Sequence, residues 1–93
     1  MAKERFAVDA EIVNKYGFHV RPSTQFMQKA KEFQSNVTVE ANGVMADGKS
    51  IMQLMTLCAV RGTKIRITAI GPDAGQATEA LAELIRKRFG GID

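Results

Sequence analysis

The sequence predicts an α+β domain in which a four-stranded antiparallel sheet carries three helices on one face. Three observations lead there. The segments RFAVDAEIV and KIRITAI alternate apolar and polar side chains at period two, as strands with one buried face do. VTVEANGVMAD reads as two short strands around Asn42-Gly43, a pair that tolerates the positive φ angles of a tight hairpin. The segments between and after these strands repeat apolar residues at helical spacing. The element order is therefore β-α-β-β-α-β-α.

In the first strand Phe6, Val8 and Ala10 point inward, and Arg5, Asp9 and Glu11 point out. After a break at GFHVRPST, Phe26, Ala30 and Phe33 recur at i, i+4 and i+7 with Met27 flanking. Gln25, Gln28, Lys29 and Glu32 lie off that stripe, which gives an amphipathic helix of three to four turns. Pro22 is tolerated only in a first turn, so this helix begins near Val20.

A short second helix is expected from Ser50 to about Cys58, with Ile51, Leu54, Met55 and Cys58 toward the core and Met52 on another side. Arg61-Gly62 breaks the chain, and the last strand turns Ile65, Ile67 and Ala69 inward against Arg66 and Thr68. Gly71-Pro72 ends it. Asp73 is then placed to cap a final helix with the stripe Ala77, Ala80, Leu81, Leu84 and Ile85. Arg86, Lys87 and Arg88 fall in its last turn, where they complement the dipole, and Gly90 is the expected stop.

Residues 1–93 suffice for one domain with one modest core. The 45% apolar and 25% charged composition is that of an ordinary soluble globular chain. No apolar run approaches membrane-spanning length and MAKERFAVDAE has no signal-peptide core, so a cytoplasmic protein without membrane insertion is expected. The net charge of +3 is mild and scattered, apart from RKR at 86–88. An RNA-binding sheet would need exposed aromatics on its central strands, and with one tyrosine, no tryptophan and core-facing phenylalanines no nucleic-acid partner is expected. The single cysteine, Cys58, excludes a disulfide framework or a zinc site and is expected to be a small buried hydrophobe.

The only histidine, His19, lies in GFHVRPST at or beside the N-cap of the first helix. The positive end of a helix dipole disfavours a further positive charge on the ring, which favours a neutral, nucleophilic imidazole. Free N–H groups of the first turn, with Arg21 beside them, suit a phosphate. Two readings follow: a surface histidine in a loop, or a nucleophile that carries a phosphoryl group. A hydrolase triad and a metal site are both disfavoured, for want of a nearby acid, a nucleophile motif or a second histidine.

GKSIMQLM also has two readings. Ser50 with Gln53 three residues on is a capping box, which explains the serine completely. Alternatively, a phosphate on Ser50 would add charge at a helix start beside the flexible methionines of an adaptable, partly apolar surface.

Taken together, GFHVRPS, the Asn-Gly hairpin, and KSIMQLMTL with a following glycine resemble the HPr family, the histidine-containing phosphocarriers of the phosphoenolpyruvate-dependent sugar phosphotransferase system. The resemblance runs from about residue 4 to 89 and includes the element order, which in that family forms an open-faced β-sandwich. It implies that His19 is the phosphorylated residue, at Nδ1, and that Arg21 contacts the phosphate. It implies partners too: enzyme I as donor and the IIA domains of sugar permeases as acceptors, docked by an apolar surface that here includes Val20, Thr24, Ile51, Met52 and Met55. Ser50 falls on the family's regulatory serine, the target of an HPr kinase/phosphorylase acting in carbon catabolite control through a catabolite-control regulator.

The implied protein is a carrier rather than an enzyme, works without a cofactor, and docks transiently as a monomer. Two variants stay open: a mainly regulatory protein read through Ser50, and a nitrogen-linked branch of the same relay. Val20, Ser23 and Gln28 depart from the family's usual residues and alter the docking surface without touching the transfer chemistry.

Overall fold

In a computed structural model, which describes residues 4–93, the predicted order is present: β1 (Glu4–Glu11), α1 (Val20–Ala30), β2 (Asn36–Ala41), β3 (Val44–Asp47), α2 (Ile51–Met55), β4 (Lys64–Gly71) and α3 (Ala74–Arg86). A short terminal turn follows, α4 (Arg88–Gly91). The strands form one antiparallel sheet in the order β1-β4-β2-β3. Helices cover one face of it. The core between the layers is built from Phe18, Phe26, Val39, Leu54, Ile67, Leu81 and Ile85, among others.

The β2–β3 hairpin closes through Asn42 and Gly43 at φ 53° and 75°, both left-handed, with Ala41 opposite Val44. That is the geometry an Asn-Gly pair permits at little cost. On the uncovered face the rows alternate in charge: Asp9 lies opposite Arg66, and Arg66 opposite Glu40. Arg66 donates from Nε and Nη2 to the two carboxylate oxygens of Asp9, at 2.9 and 3.3 Å. Both groups are exposed, so the pair adds little stability.

Several expectations are corrected. Phe6 lies on the inner side of β1 but is 45% exposed, because β1 is an edge strand and only the start of α3, at Gly75, lies against the ring. The second helix ends at Met55 rather than near Cys58, with Thr56 as its cap. Leu57 takes the buried position instead, while Met55, expected toward the core, is 40% exposed on this short helix and Cys58 is exposed at φ 53°.

Asp73 stands at the start of α3 but makes no side-chain cap. Its carboxylate reaches across to the α1–β2 connection, where it accepts from the N–H groups of Gln34 and Ser35 at 2.9 Å each and from Ser35 Oγ at 2.5 Å. These donors, the Ser35 hydroxyl first, hold its pKa below the ordinary carboxylate value.

Of Arg86, Lys87 and Arg88 only Arg86 falls in the last turn of α3, because the helix ends there and the chain reverses before Gly90. Arg88 and Phe89 already have φ 53°, followed by Gly90 and Gly91 at positive φ. A left-handed residue other than glycine costs about 1–2 kcal/mol. Phe89 is buried at 1% exposure, and burying such a side chain contributes about 1.5–3 kcal/mol, which offsets its strain.

Candidate functional site

The loop before α1 is fixed from three directions. Gly17 sits at φ +60°, and a Cβ there would come within 1.6 Å of Ala59 O. Only glycine allows that approach, and it lets Phe18 N–H donate to the same Ala59 carbonyl at 3.1 Å. Asn14 Nδ2 donates to Gly17 O at 2.9 Å, and Tyr16 N–H donates to Asp93 O at 2.7 Å. The Phe18 ring anchors the loop inward, meeting Phe26 and Phe89 at centroid distances of 5.4 and 5.9 Å.

His19 is the N-cap of α1, with extended backbone at φ −77°, ψ −172°. Its carbonyl accepts from Ser23 N–H at 3.0 Å, and its side chain makes no cap bond. The imidazole is therefore not used up by the helix it precedes. Within the ring, Nε2 is buried without a hydrogen-bond partner.

Val20 and Arg21 present N–H groups with no intrahelical acceptor, and Pro22, next in line, has none to lose. Ser23 Oγ donates back to Phe18 O at 3.0 Å and fixes the first turn to the loop. Arg21 is exposed beside His19 and belongs to none of the ion pairs among the described residues. A nucleophilic nitrogen, two free N–H donors and an unpaired guanidinium thus meet within three consecutive residues. That set can accept and hold a dianionic phosphoryl group.

Ser50 is the N-cap of α2, and its Oγ accepts from Gln53 N–H at 3.2 Å. The reciprocal half of the expected capping box is absent. Gln53 Oε1 accepts from Asp47 N–H at 2.9 Å, while Ser50 N–H donates to Asp47 O at 3.0 Å. Helices α1 and α2 pack against one another. On their outer surfaces Met52, Val20 and Met55 are 80%, 56% and 40% exposed, while Thr24 and Ile51 are half-buried.

The structure thus gathers His19, Val20, Arg21 and Thr24 at one helix start and Ser50 to Met55 on the neighbouring short helix. Sequence reasoning passed over Asn14, Tyr16 and Gly17. Gly17, the first residue of GFHVRPST, was the available signal. Tyr16 sits edge-on to the His19 ring, with centroids 6.2 Å apart and planes at 84°. A hollow of about 590 Å³ lies on the open face of the sheet beside Glu40, Lys64 and Arg66, and shares no residue with this loop. Among the described residues no helix is long and apolar enough to cross a membrane.

Residues 7–87 match the family model described as the PTS HPr component phosphorylation site. The chain is 46% identical over 80 residues to the phosphocarrier protein HPr of Neisseria meningitidis serogroup A, covering 86% of this chain and 90% of that one. It superimposes on an HPr of Thermoanaerobacter tengcongensis with a TM-score of 0.88 at 38% identity, covering 92% and 97% of the two chains. An HPr dimer of the same organism matches with a TM-score of 0.74 at 39% identity, over 90% and 97%.

Proposed function

The chain belongs to the HPr family of phosphotransferase-system phosphocarriers, and from that we infer that His19 accepts a phosphoryl group from phospho-enzyme I and passes it to the IIA domains of sugar permeases. One observation carries the reading. His19 stands at the N-cap of α1 with its imidazole making no cap bond, directly before the free N–H groups of Val20 and Arg21. In the step, the Nδ1 lone pair attacks phosphorus, the bond from phosphorus to the donor breaks, and its electron pair leaves with the donor. The phosphoryl oxygens then lie against the helix start and the Arg21 guanidinium, which share their charge.

Val20, Thr24, Ile51, Met52 and Met55 form the docking surface in this reading, and their exposure on adjacent helices supports it. A partly apolar face with flexible methionines suits successive partners. The protein works in the cytoplasm as a monomer that docks transiently.

Ser50 is assigned a second, regulatory phosphorylation by an HPr kinase/phosphorylase, read by a catabolite-control regulator. Ser50 is half-buried and its Oγ makes one bond, of 3.2 Å from Gln53 N–H, so a single cap bond is all that a modification would displace. A phosphate there would place negative charge beside the exposed Met52 and weaken apolar docking.

The test is intact mass after incubation with phosphoenolpyruvate and enzyme I, then again after mild acid. One added phosphoryl group that acid removes and that maps to His19 is expected, and His19→Ala should remain unmodified and folded. An acid-labile phosphate on His19→Ala would overturn the assignment. Failure with enzyme I of the same organism, alongside an acid-stable phosphate from ATP and the kinase, would instead make regulation through Ser50 the main activity.

A further inference from the structure

We propose that Tyr16 is a positioning residue for phosphoryl carriage, holding the His19 imidazole in its reactive orientation and screening the phosphorylated ring from water. The inference rests on His19 being the phosphoryl acceptor. Tyr16 is 57% exposed, so its ring is not there to fill the core. It nevertheless stands in defined contact on both sides. One is the edge-to-face arrangement with His19 at 6.2 Å, and the other is Lys15 Nζ, 5.2 Å from the Tyr16 ring centroid. Both distances fall within the ranges where aromatic pairs and cation–π contacts attract. The backbone beneath is fixed by the Tyr16 N–H bond to Asp93 O and by the Gly17 bonds to Asn14.

His19 itself has no hydrogen bond that orients its ring: Nε2 is unpartnered and no cap bond forms. In a carrier the imidazole must present the same nitrogen to two partners in turn, and a freely turning ring would spread the phosphoryl group over many positions. The Lys15–Tyr16–His19 contacts supply an aromatic restraint on that ring from within the loop itself. Tyr16 also sets its bulk beside the imidazole, with the Lys15 charge over the Tyr16 ring, and in this proposal that bulk slows the approach of water to the phosphorus–nitrogen bond.

The experiment loads wild type, Tyr16→Ala and Tyr16→Phe with phosphoenolpyruvate and enzyme I, removes the donor, and follows loss of phosphohistidine by 31P NMR and intact mass at pH 7.5. Tyr16→Ala should lose the phosphoryl group about two- to tenfold faster, the factor to which an aromatic pair's strength converts, while Tyr16→Phe should match wild type. Because Tyr16 is exposed, thermal melts of the variants should agree, so a shorter lifetime is not unfolding. An unchanged lifetime in Tyr16→Ala, or equal acceleration in both variants, would overturn the proposal. If wild type does not load on His19, the phosphocarrier reading fails instead.

Discussion

Truncating Phe89 to Ala removes a ring that is 1% exposed and lies 5.9 Å from Phe18, the residue before His19. Phe18 in turn meets Phe26 at 5.4 Å, so three rings form one cluster under the loop. Deleting one leaves a cavity that neither of the others can fill, and such changes cost about 3–5 kcal/mol. No strain is relieved in exchange, because alanine at φ 53° meets the same left-handed penalty. Against a total stability of about 5–15 kcal/mol for a small domain, the loss is a large share. Urea unfolding followed by circular dichroism at 25 °C should show it. With a slope of about 2 kcal/mol/M, the midpoint should fall by roughly 2 M with the slope unchanged. Phosphoryl uptake on His19 should also slow where the variant is still folded, since Phe18 loses its lateral support. A loss below about 1 kcal/mol would refute the reasoning: the ring would not be in the core, and the terminal turn would not be docked beneath the site.

Gly17→Ala should destabilise by more than about 2 kcal/mol, because its Cβ would meet Ala59 O at 1.6 Å, whereas Gly43→Ala, with nothing within 4 Å, should lose only about 1 kcal/mol from its left-handed φ. Equal losses in unfolding experiments would show that the contact at Ala59 is not what requires glycine. Ser50→Ala should cost about 0.5–1 kcal/mol, the low part of the capping range, since one bond of 3.2 Å is removed; a denaturation difference above 2 kcal/mol would contradict the half-box. Asp73 has a folded pKa below its unfolded value, so its contribution is complete above about pH 4 and fades as pH falls through the lower folded value. Asp73→Asn should therefore be less stable than wild type at pH 7, with the gap closing in acid, and a gap independent of pH in parallel melts would refute it.

Period-two alternation located β1 and β4, because each has one face toward the helices and one toward solvent. Asn42-Gly43 located the hairpin because few residue pairs accept two left-handed positions. Pro22 dated the start of α1 to within a residue, which put His19 at the N-cap before any coordinates. What failed to show in the sequence was tertiary. Asp73 looks like a cap from its neighbours, and only the approach of Ser35 draws its carboxylate away. Cys58 reads as buried from its apolar company, but α2 is too short to bring it inward. Phe89 precedes two glycines beyond the helical stripe, so nothing local tells which ring it meets, and the left-handed turn sets it beside Phe18. Tyr16 carries no local signature, since its meaning lies in what stands on either side of its ring.

The strand order β1-β4-β2-β3 has a consequence for when the site comes into being. The first strand pairs only with the last, Glu4 opposite Gly71 and Ala7 opposite Thr68, while β2 and β3 find each other across two residues. Closing the short loop is fast and cheap, and closing the long one is slow. The hairpin is thus the natural seed, β4 adds to it, and β1 has no neighbour until β4 is in place. The loop that carries His19 inherits this delay. Its seat on Ala59 lies just before β4, and its floor includes Phe89, which follows α3. A segment made early in synthesis therefore waits for nearly the whole chain before it takes its final shape.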